Sequence, residues 1–193
     1  WPTRRNRALK QALGTLDGTV RGIIEERRRI LARGEHGGHE DLLQMFLEAA
    51  DAETGARMDD QQLRDEVMTM FLAGHETTAN ALTWALYLLG KSPHVARALR
   101  DESRAVLGDR VPTAEDIPRL ELARRVLSES LRLYPPVWIV GRGTIEDVVL
   151  GGYEIPARSL VFIVPWITHR HPDFWRDPER FDPDRFAPER KAE

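Results

Sequence analysis

The stretch Met70–Asn80 reads M-F-L-A-G-H-E-T-T-A-N and lies inside the longest helical pattern of the chain. That pattern runs from about Gln61 to Leu89, roughly 45 Å of helix at about 1.5 Å per residue. Asp59, with Gln62 three residues later, resembles a capping box at its start. Leu63, Val67, Met70, Phe71, Leu82, Trp84, Leu86 and Leu89 spread apolar side chains around much of the cylinder. A helix apolar nearly all round belongs in a core, so the pattern predicts a long, central, buried helix. No apolar run reaches about 18 residues without interruption, which argues against a membrane span.

The middle of this helix breaks the rules of packing. Gly74 costs about 1 kcal/mol relative to alanine in a helix interior. Thr77 and Thr78 are β-branched, and their hydroxyls compete for carbonyls one turn back, which bends or opens a helix. Glu76 would be a buried carboxylate in need of a partner. Such violations cluster at functional sites; the plain alternative is a polar stripe facing a wet seam between helices. His75-Glu76 begins like the helical zinc motif H-E-x-x-H, but the second histidine would fall at position 79, which is Ala79.

The rest of the chain reads as a helical body followed by a small β and coil region. With 193 residues it is long enough for one domain with a real core. A net charge of −3 makes no general case for nucleic acid or an acidic membrane. The absence of cysteine excludes disulfides, zinc-thiolate sites and a cysteine nucleophile within these residues. Trp1–Asn6 reads as an entry loop. Leu9, Leu13, Leu16, Val20, Ile23 and Ile30 mark one face of a helix over Arg7–Leu31, while Gly14, Gly18 and Gly22 read as a weakly packed face. Glu25–Arg29 reads as a solvated helix end. Gly34–Gly38 is a loop whose His36 and His39 have no further metal-ligand pattern around them. Asp41–Ala50 is a short helix, and Asp51–Arg57 a turn. Ser92-Pro93 starts a helix that runs to Leu107, Thr113–Ile117 forms a single turn, and Arg119–Tyr134 is a helix stopped by Pro135-Pro136. Strand-like runs follow at Val137–Val140, Val148–Leu150, Tyr153–Ile155 and Leu160–Val164, with Gly151-Gly152 as a hairpin turn. From Thr168 the chain is rich in proline, aspartate, arginine and aromatics, without regular period.

Glu129 and Arg132 lie three apart on one helical face. Taken alone, such a pair is most often at the surface; its apolar surroundings leave burial open. Arg142 follows a strand-like run, where an arginine is usually solvated but has the planar fork that suits a carboxylate.

In combination and in this order, the motifs resemble the cytochrome P-450 family of haem-thiolate monooxygenases. A-G-H-E-T-T at Ala73–Thr78 resembles the family's oxygen-binding motif, and E-S-L-R at Glu129–Arg132 its E-x-x-R motif. Y-P-P-V at Tyr134–Val137, H-R-H-P-D-F-W at His169–Trp175 and F-D-P-D-R-F at Phe181–Phe186 match as well. The resemblance covers essentially the whole chain and implies a partial fold of that family, mainly α with a small β region. It implies a single partial domain over 1–193, with a helical body to about 134 and a β and coil part from about 135 to 193.

The resemblance also implies roles. Glu76 and Thr77 are similar to the acid and alcohol that deliver protons to dioxygen. Ala73 and Gly74 resemble the groove where the helix opens over the haem, and Arg142 resembles the partner of a haem propionate. Val137 resembles a substrate-facing residue, although Trp138 stands where the family often has proline. Glu129, Arg132 and Arg185 resemble a structural triad; Arg180, in the similar spelling P-E-R-F, does not belong to it. The implied cofactor is haem, with electrons from NAD(P)H through a ferredoxin- or flavin-type partner. Dioxygen and a small organic, hydrophobic substrate are implied, and nucleic acid is not. The cysteine ligand is expected after Glu193, so the chain is read as an internal piece, inactive alone, of a cytoplasmic bacterial-type enzyme. A truncated, non-catalytic binding or scaffold module is the alternative.

Overall fold

The computed structural model describes residues 3–34, 41–50 and 52–190. The chain divides into two compact units, Trp1–His75 and Glu76–Glu193.

In the first unit, α1 spans Arg4–Ala32, α2 spans Leu42–Glu48, and α3, at Asp60–Lys91, begins. Thr3 caps α1 by accepting from the Asn6 amide at 3.1 Å, which is why the helix starts before the expected Arg7. Val20, Ile24, Leu63 and Met68 form the core, flanked by Leu16, Leu43, Phe46, Leu47, Met58 and Val67. The buried face of α1 therefore follows Leu16, Val20 and Ile24, while Leu9, Leu13 and Ile23 from the expected face are exposed. A side chain at Gly14, Gly18 or Gly22 would meet nothing within 4 Å, as suits a weakly packed face.

Ion pairs frame this core. Arg27 holds both oxygens of Asp41 at 2.8 and 2.7 Å, and the same carboxylate caps α2 at the Gln44 amide. Arg64 reaches Asp17 on α1 at 2.5 Å, and Arg28 reaches Asp60 at 2.7 Å. Arg21 and Arg64 hold the Asp17 carboxyl below its ordinary range. Asp59 caps α3 at the Gln62 amide at 2.7 Å. Glu25, Glu26 and Arg29 are exposed and paired with one another, a solvated helix end. The loop at Gly34–Gly38, with His36 and His39, falls largely outside the described residues.

In the second unit, the end of α3 is followed by α4 (Pro93–Leu107), a 3-10 turn (Ala114–Arg119) and α5 (Glu121–Leu133). Pro93 occupies the first turn of α4, but the Ser92 hydroxyl makes no capping bond. The N-terminus of α5 has no side-chain cap of its own. Instead Glu102 of α4 accepts from the Leu122 and Ala123 amides at 2.7 and 3.0 Å, bringing a carboxylate to the positive end of the helix.

Four short strands follow: β1 (Val140–Gly143), β2 (Val148–Leu150), β3 (Tyr153–Ile155) and β4 (Leu160–Ile163). They form two antiparallel pairs, β1 with β4 and β2 with β3. Gly151 and Gly152 make the two-residue turn between β2 and β3, both with positive φ (58° and 86°), as a type I′ hairpin requires. The first strand begins three residues later than its apolar run suggests. Val140 to Gly143 pair with Ile163 to Leu160, so the strand is defined by its partner, and its glycines at 141 and 143 hide it from hydropathy. A short helix, α6 (Pro165–Thr168), leads into coil tied by 3-10 turns at Pro183–Phe186 and Pro188–Arg190.

The turn before α5 generates a prediction. Asp116 is buried, at 3 % exposure, and accepts from the Arg110 guanidinium and from the Thr113 amide at 2.9 Å. The Arg110 contact, then the Thr113 backbone bond, hold its carboxyl well below the usual range. A group with a depressed folded-state value contributes stability above its unfolded value and loses it as pH falls through the folded one. The loss therefore begins below about pH 4, the ordinary aspartate range. Asp116→Asn is expected to be less stable at neutral pH and to lose less on acidification, read as urea midpoints across the acid range.

Candidate functional site

The polar stretch of α3 lies on an exposed part of the helix. Ala73, Gly74, His75, Glu76 and Thr78 are exposed and Thr77 is half-buried. Met70, Phe71, Leu72, Leu82, Leu86 and Tyr87 are exposed as well. The expectation of a helix buried along its length is corrected here: α3 is long, but its midsection is not covered by these residues. An amphipathicity argument reports what a helix wants to bury, and the covering surface has to come from elsewhere. Glu76 is accordingly an exposed carboxylate, not a buried one.

The expected opening at Ala73–Gly74 is also corrected. The backbone is α-helical without interruption from Asp60 to Lys91. Threonine hydroxyls bond one turn back within it, Thr69 to the Asp65 carbonyl at 2.8 Å and Thr83 to the Ala79 carbonyl at 2.7 Å, and the helix absorbs both. A Cβ at Gly74 would meet nothing within 4 Å, so the helix surface there is open to a ligand.

Arg142, on β1, is exposed. Its guanidinium donates to the Gly141 carbonyl at 2.9 Å and has no carboxylate partner among the described residues. Val137 and Trp138, ahead of that strand, are both exposed.

Glu129 and Arg132 are fully buried, at 0 and 2 % exposure, against the surface location that an isolated pair of this spacing favours. Arg132 Nε donates to Glu129 Oε2 at 2.7 Å and its Nη2 to Oε1 at 2.9 Å. The remaining donors bind carbonyls of the C-terminal coil: His169 at 2.7 Å, Pro178 at 2.8 Å and Arg180 at 3.3 Å. Glu129 Oε1 also accepts from the Asp182 amide at 2.9 Å and lies 3.4 Å from Arg185 Nε, while Arg185 Nη2 donates to the Asp177 carbonyl at 2.7 Å. The structure thus brings Glu129, Arg132 and Arg185 together; Arg180 supplies only its backbone oxygen. The Trp175 ring covers the Arg132 guanidinium at 4.9 Å.

Sequence reasoning missed an aromatic cluster in this unit. Trp84 and Tyr134 stack at 4.1 Å with planes 7° apart, and Tyr87 meets both edge-on. Trp84 and Tyr87 are helical neighbours three apart, but nothing in the sequence ties them to Tyr134. No group of three or more metal-ligating side chains occurs among the described residues. No helix among them is long and apolar enough to cross a membrane.

A family model described as Cytochrome P450 matches residues 1–193. Cyclooctatin synthase of Streptomyces melanosporofaciens is 44 % identical over 181 residues, covering 94 % of this chain and 39 % of that protein. Cyclooctat-9-en-7-ol 5-monooxygenase of the same organism is 41 % identical, covering 94 % and 38 %. The crystal structure of the cytochrome P450DA heme domain superposes with a TM-score of 0.82 at 38 % identity, covering 97 % of this chain and 40 % of that one. The chain belongs to the cytochrome P450 family and has a partial P450 fold. It spans about two-fifths of the length of the curated relatives it matches.

Haem is the cofactor the family implies, and the residues present suit part of its surroundings. Gly74 leaves open space above the helix and the neighbouring apolar side chains are uncovered; separately, Arg142 has no acidic partner among the described residues. The chain has no cysteine to act as thiolate ligand.

The buried triad carries a prediction. Removing one member of a buried ion pair leaves an uncompensated charge and costs about 3–5 kcal/mol. Glu129→Ala, which strands Arg132 and Arg185, is expected to lower the unfolding free energy by about that much. A surface substitution such as Glu121→Ala changes it by less than about 0.5 kcal/mol; denaturant titration distinguishes them.

Proposed function

We propose that this chain is part of a haem-dependent monooxygenase that inserts one oxygen atom of dioxygen into a small, hydrophobic organic substrate. Electrons would reach it from NAD(P)H through a ferredoxin- or flavin-type partner. The observation that carries the reading is the Ala73–Thr78 segment, presented outward on α3 in a chain of this family. A relative named for a monooxygenase reaction on cyclooctat-9-en-7-ol, an unsaturated alcohol, supports both the reaction class and a hydrocarbon-rich substrate.

Haem, when bound, supplies the redox-active iron at which dioxygen is activated. Ala73 and Gly74 would let its flat face approach the helix, because neither projects bulk from the backbone. Arg142 would pair with a haem carboxylate through its planar fork. A thiolate ligand would have to be supplied by residues other than these 193, none of which is cysteine.

Thr77 and Glu76 move protons. The Thr77 hydroxyl accepts and donates at once, and the adjacent Glu76 carboxyl takes up a proton from solvent and passes it inward. Delivering protons one at a time through side chains keeps bulk water from the reacting oxygen. Val137 contributes to the apolar wall facing substrate. The buried cluster of Glu129, Arg132 and Arg185 holds the coil in place and takes no part in the chemistry.

Two experiments test this reading. In the full-length protein, Thr77→Ala is expected to raise hydrogen peroxide released per NAD(P)H consumed and to lower product correspondingly. Unchanged coupling would remove Thr77 from proton delivery. The 193-residue chain with haem and carbon monoxide is expected to give no thiolate-type Soret band, and the appearance of one would overturn the assignment of the ligand to another segment.

A further inference from the structure

The aromatic cluster in the second unit has a place on α3 that the proposed proton-delivery residues give meaning to. Trp84 follows Thr77 by seven residues, two helical turns, so it lies about 10 Å along the helix and within about 20° of the same stripe. Tyr87, one turn further, meets the Trp84 ring at 5.6 Å with planes at 90°. Trp84 is 37 % and Tyr87 48 % exposed. An oxidant generated beside Thr77 therefore has an oxidisable indole as its neighbour on the same helical face, with a phenol next in line.

Among the described residues, the surroundings of the other tryptophans set Trp84 apart. The Arg132 guanidinium lies over Trp175 at 4.9 Å, and the Arg170 guanidinium over Trp166 at 4.4 Å. A cation on the ring face makes loss of an electron harder, by the same electrostatics that bind it there. Trp138 has no ring partner among the described residues, whereas Trp84 is stacked on the neutral Tyr134 ring at 4.1 Å. No cation lies over the Trp84 ring itself among the described residues. Arg170 lies over Tyr134 at 5.5 Å, which disfavours Tyr134 as the resting place of a positive charge. Lys91 lies over Tyr87 at 5.7 Å, but an oxidised tyrosine that has lost its proton is neutral, so this cation does not oppose it.

We propose that Trp84 and Tyr87 form a one-electron relay that drains oxidising equivalents from the oxygen-activating site when they are not spent on substrate. Tyr134 acts as the positioning residue that holds the indole in place. The oxidant is the one-electron acceptor produced at that site by unproductive oxygen chemistry, so the inference rests on the monooxygenase reading. Trp84 would give one electron to that acceptor and become an indole radical cation. Tyr87 returns one electron to Trp84 and releases its phenolic proton to water, ending as a neutral phenoxyl radical. A soluble thiol then gives Tyr87 one hydrogen atom and leaves as a thiyl radical. No bond to the protein is made, and both side chains return to their starting state.

Two arms test the relay in the full-length protein. In the first, a soluble ruthenium photosensitiser oxidises the protein without any need for haem chemistry, and electron paramagnetic resonance follows the radicals. The expected result is a tyrosyl signal that Tyr87→Phe abolishes, with the indole signal of Trp84 persisting longer in that variant. Trp84→Phe is expected to remove most of the Tyr87 signal. Equal Tyr87 signal in Trp84→Phe, or none in the wild type, overturns the relay. In the second arm, the haem-loaded protein receives hydrogen peroxide without substrate and is freeze-quenched. The same tyrosyl signal is expected, and its absence when the first arm succeeds overturns the link to the oxygen site. Failure of the monooxygenase reading would appear separately, as a haem protein that forms no product from any substrate while the first arm still succeeds. Should a variant fail to fold, peptide mapping of the peroxide-treated wild type decides: oxidation products concentrated at Trp84 and Tyr87 support the relay, and products at the more exposed Trp138 in their place overturn it.

Discussion

The Arg132 guanidinium is the point on which the second unit depends. Its donors reach one carboxylate, on Glu129, and three carbonyls of a coil with little regular structure of its own. A coil has no ladder to satisfy its backbone, so these carbonyls would be costly to bury without a donor. One rigid, planar side chain with five N–H groups meets that need where a lysine would not. Glu129 balances the charge and in turn accepts from the coil at Asp182 and faces Arg185. Helix α5 thereby dictates where the C-terminal coil runs, and Glu102 fixes the start of α5 from α4.

Helix α3 belongs to both units, and the division falls between His75 and Glu76. Its first turns pack into the core around Leu63 and Met68, and its later turns carry the stacked Trp84. Between them lies the exposed segment with the proposed site residues. The apolar side chains beside Gly74 are uncovered, an unmet demand for apolar contact. Trp84 and Tyr87 add a half-exposed aromatic surface to the same helix.

Much of this was legible beforehand. Helix limits were read to within a few residues where proline or a capping side chain sets them, as at Pro93 and Pro135, because those signals act through the local backbone. The hairpin at Gly151-Gly152 was equally local. The misjudged points share a different cause. Val20 and Ile24, rather than Val20 and Ile23, face the core because the position of α2 and α3 chooses among the apolar residues that α1 offers. Strand β1 was displaced because pairing with β4, twenty residues on, defines it.

The sequence by itself determined the family, the helical body with its small β region, and the identity of the residues that could do chemistry. These follow from period, turn chemistry and ordered motifs, all of which are properties of residues near one another in the chain. Only the tertiary structure decided that Glu129 and Arg132 are buried, which coil carbonyls Arg132 binds, that the middle of α3 is uncovered, and that Tyr134 stacks on Trp84. Each of those depends on which distant segment arrives at a given surface, and desolvation, ion pairing and ring stacking acquire their energies only once it has arrived.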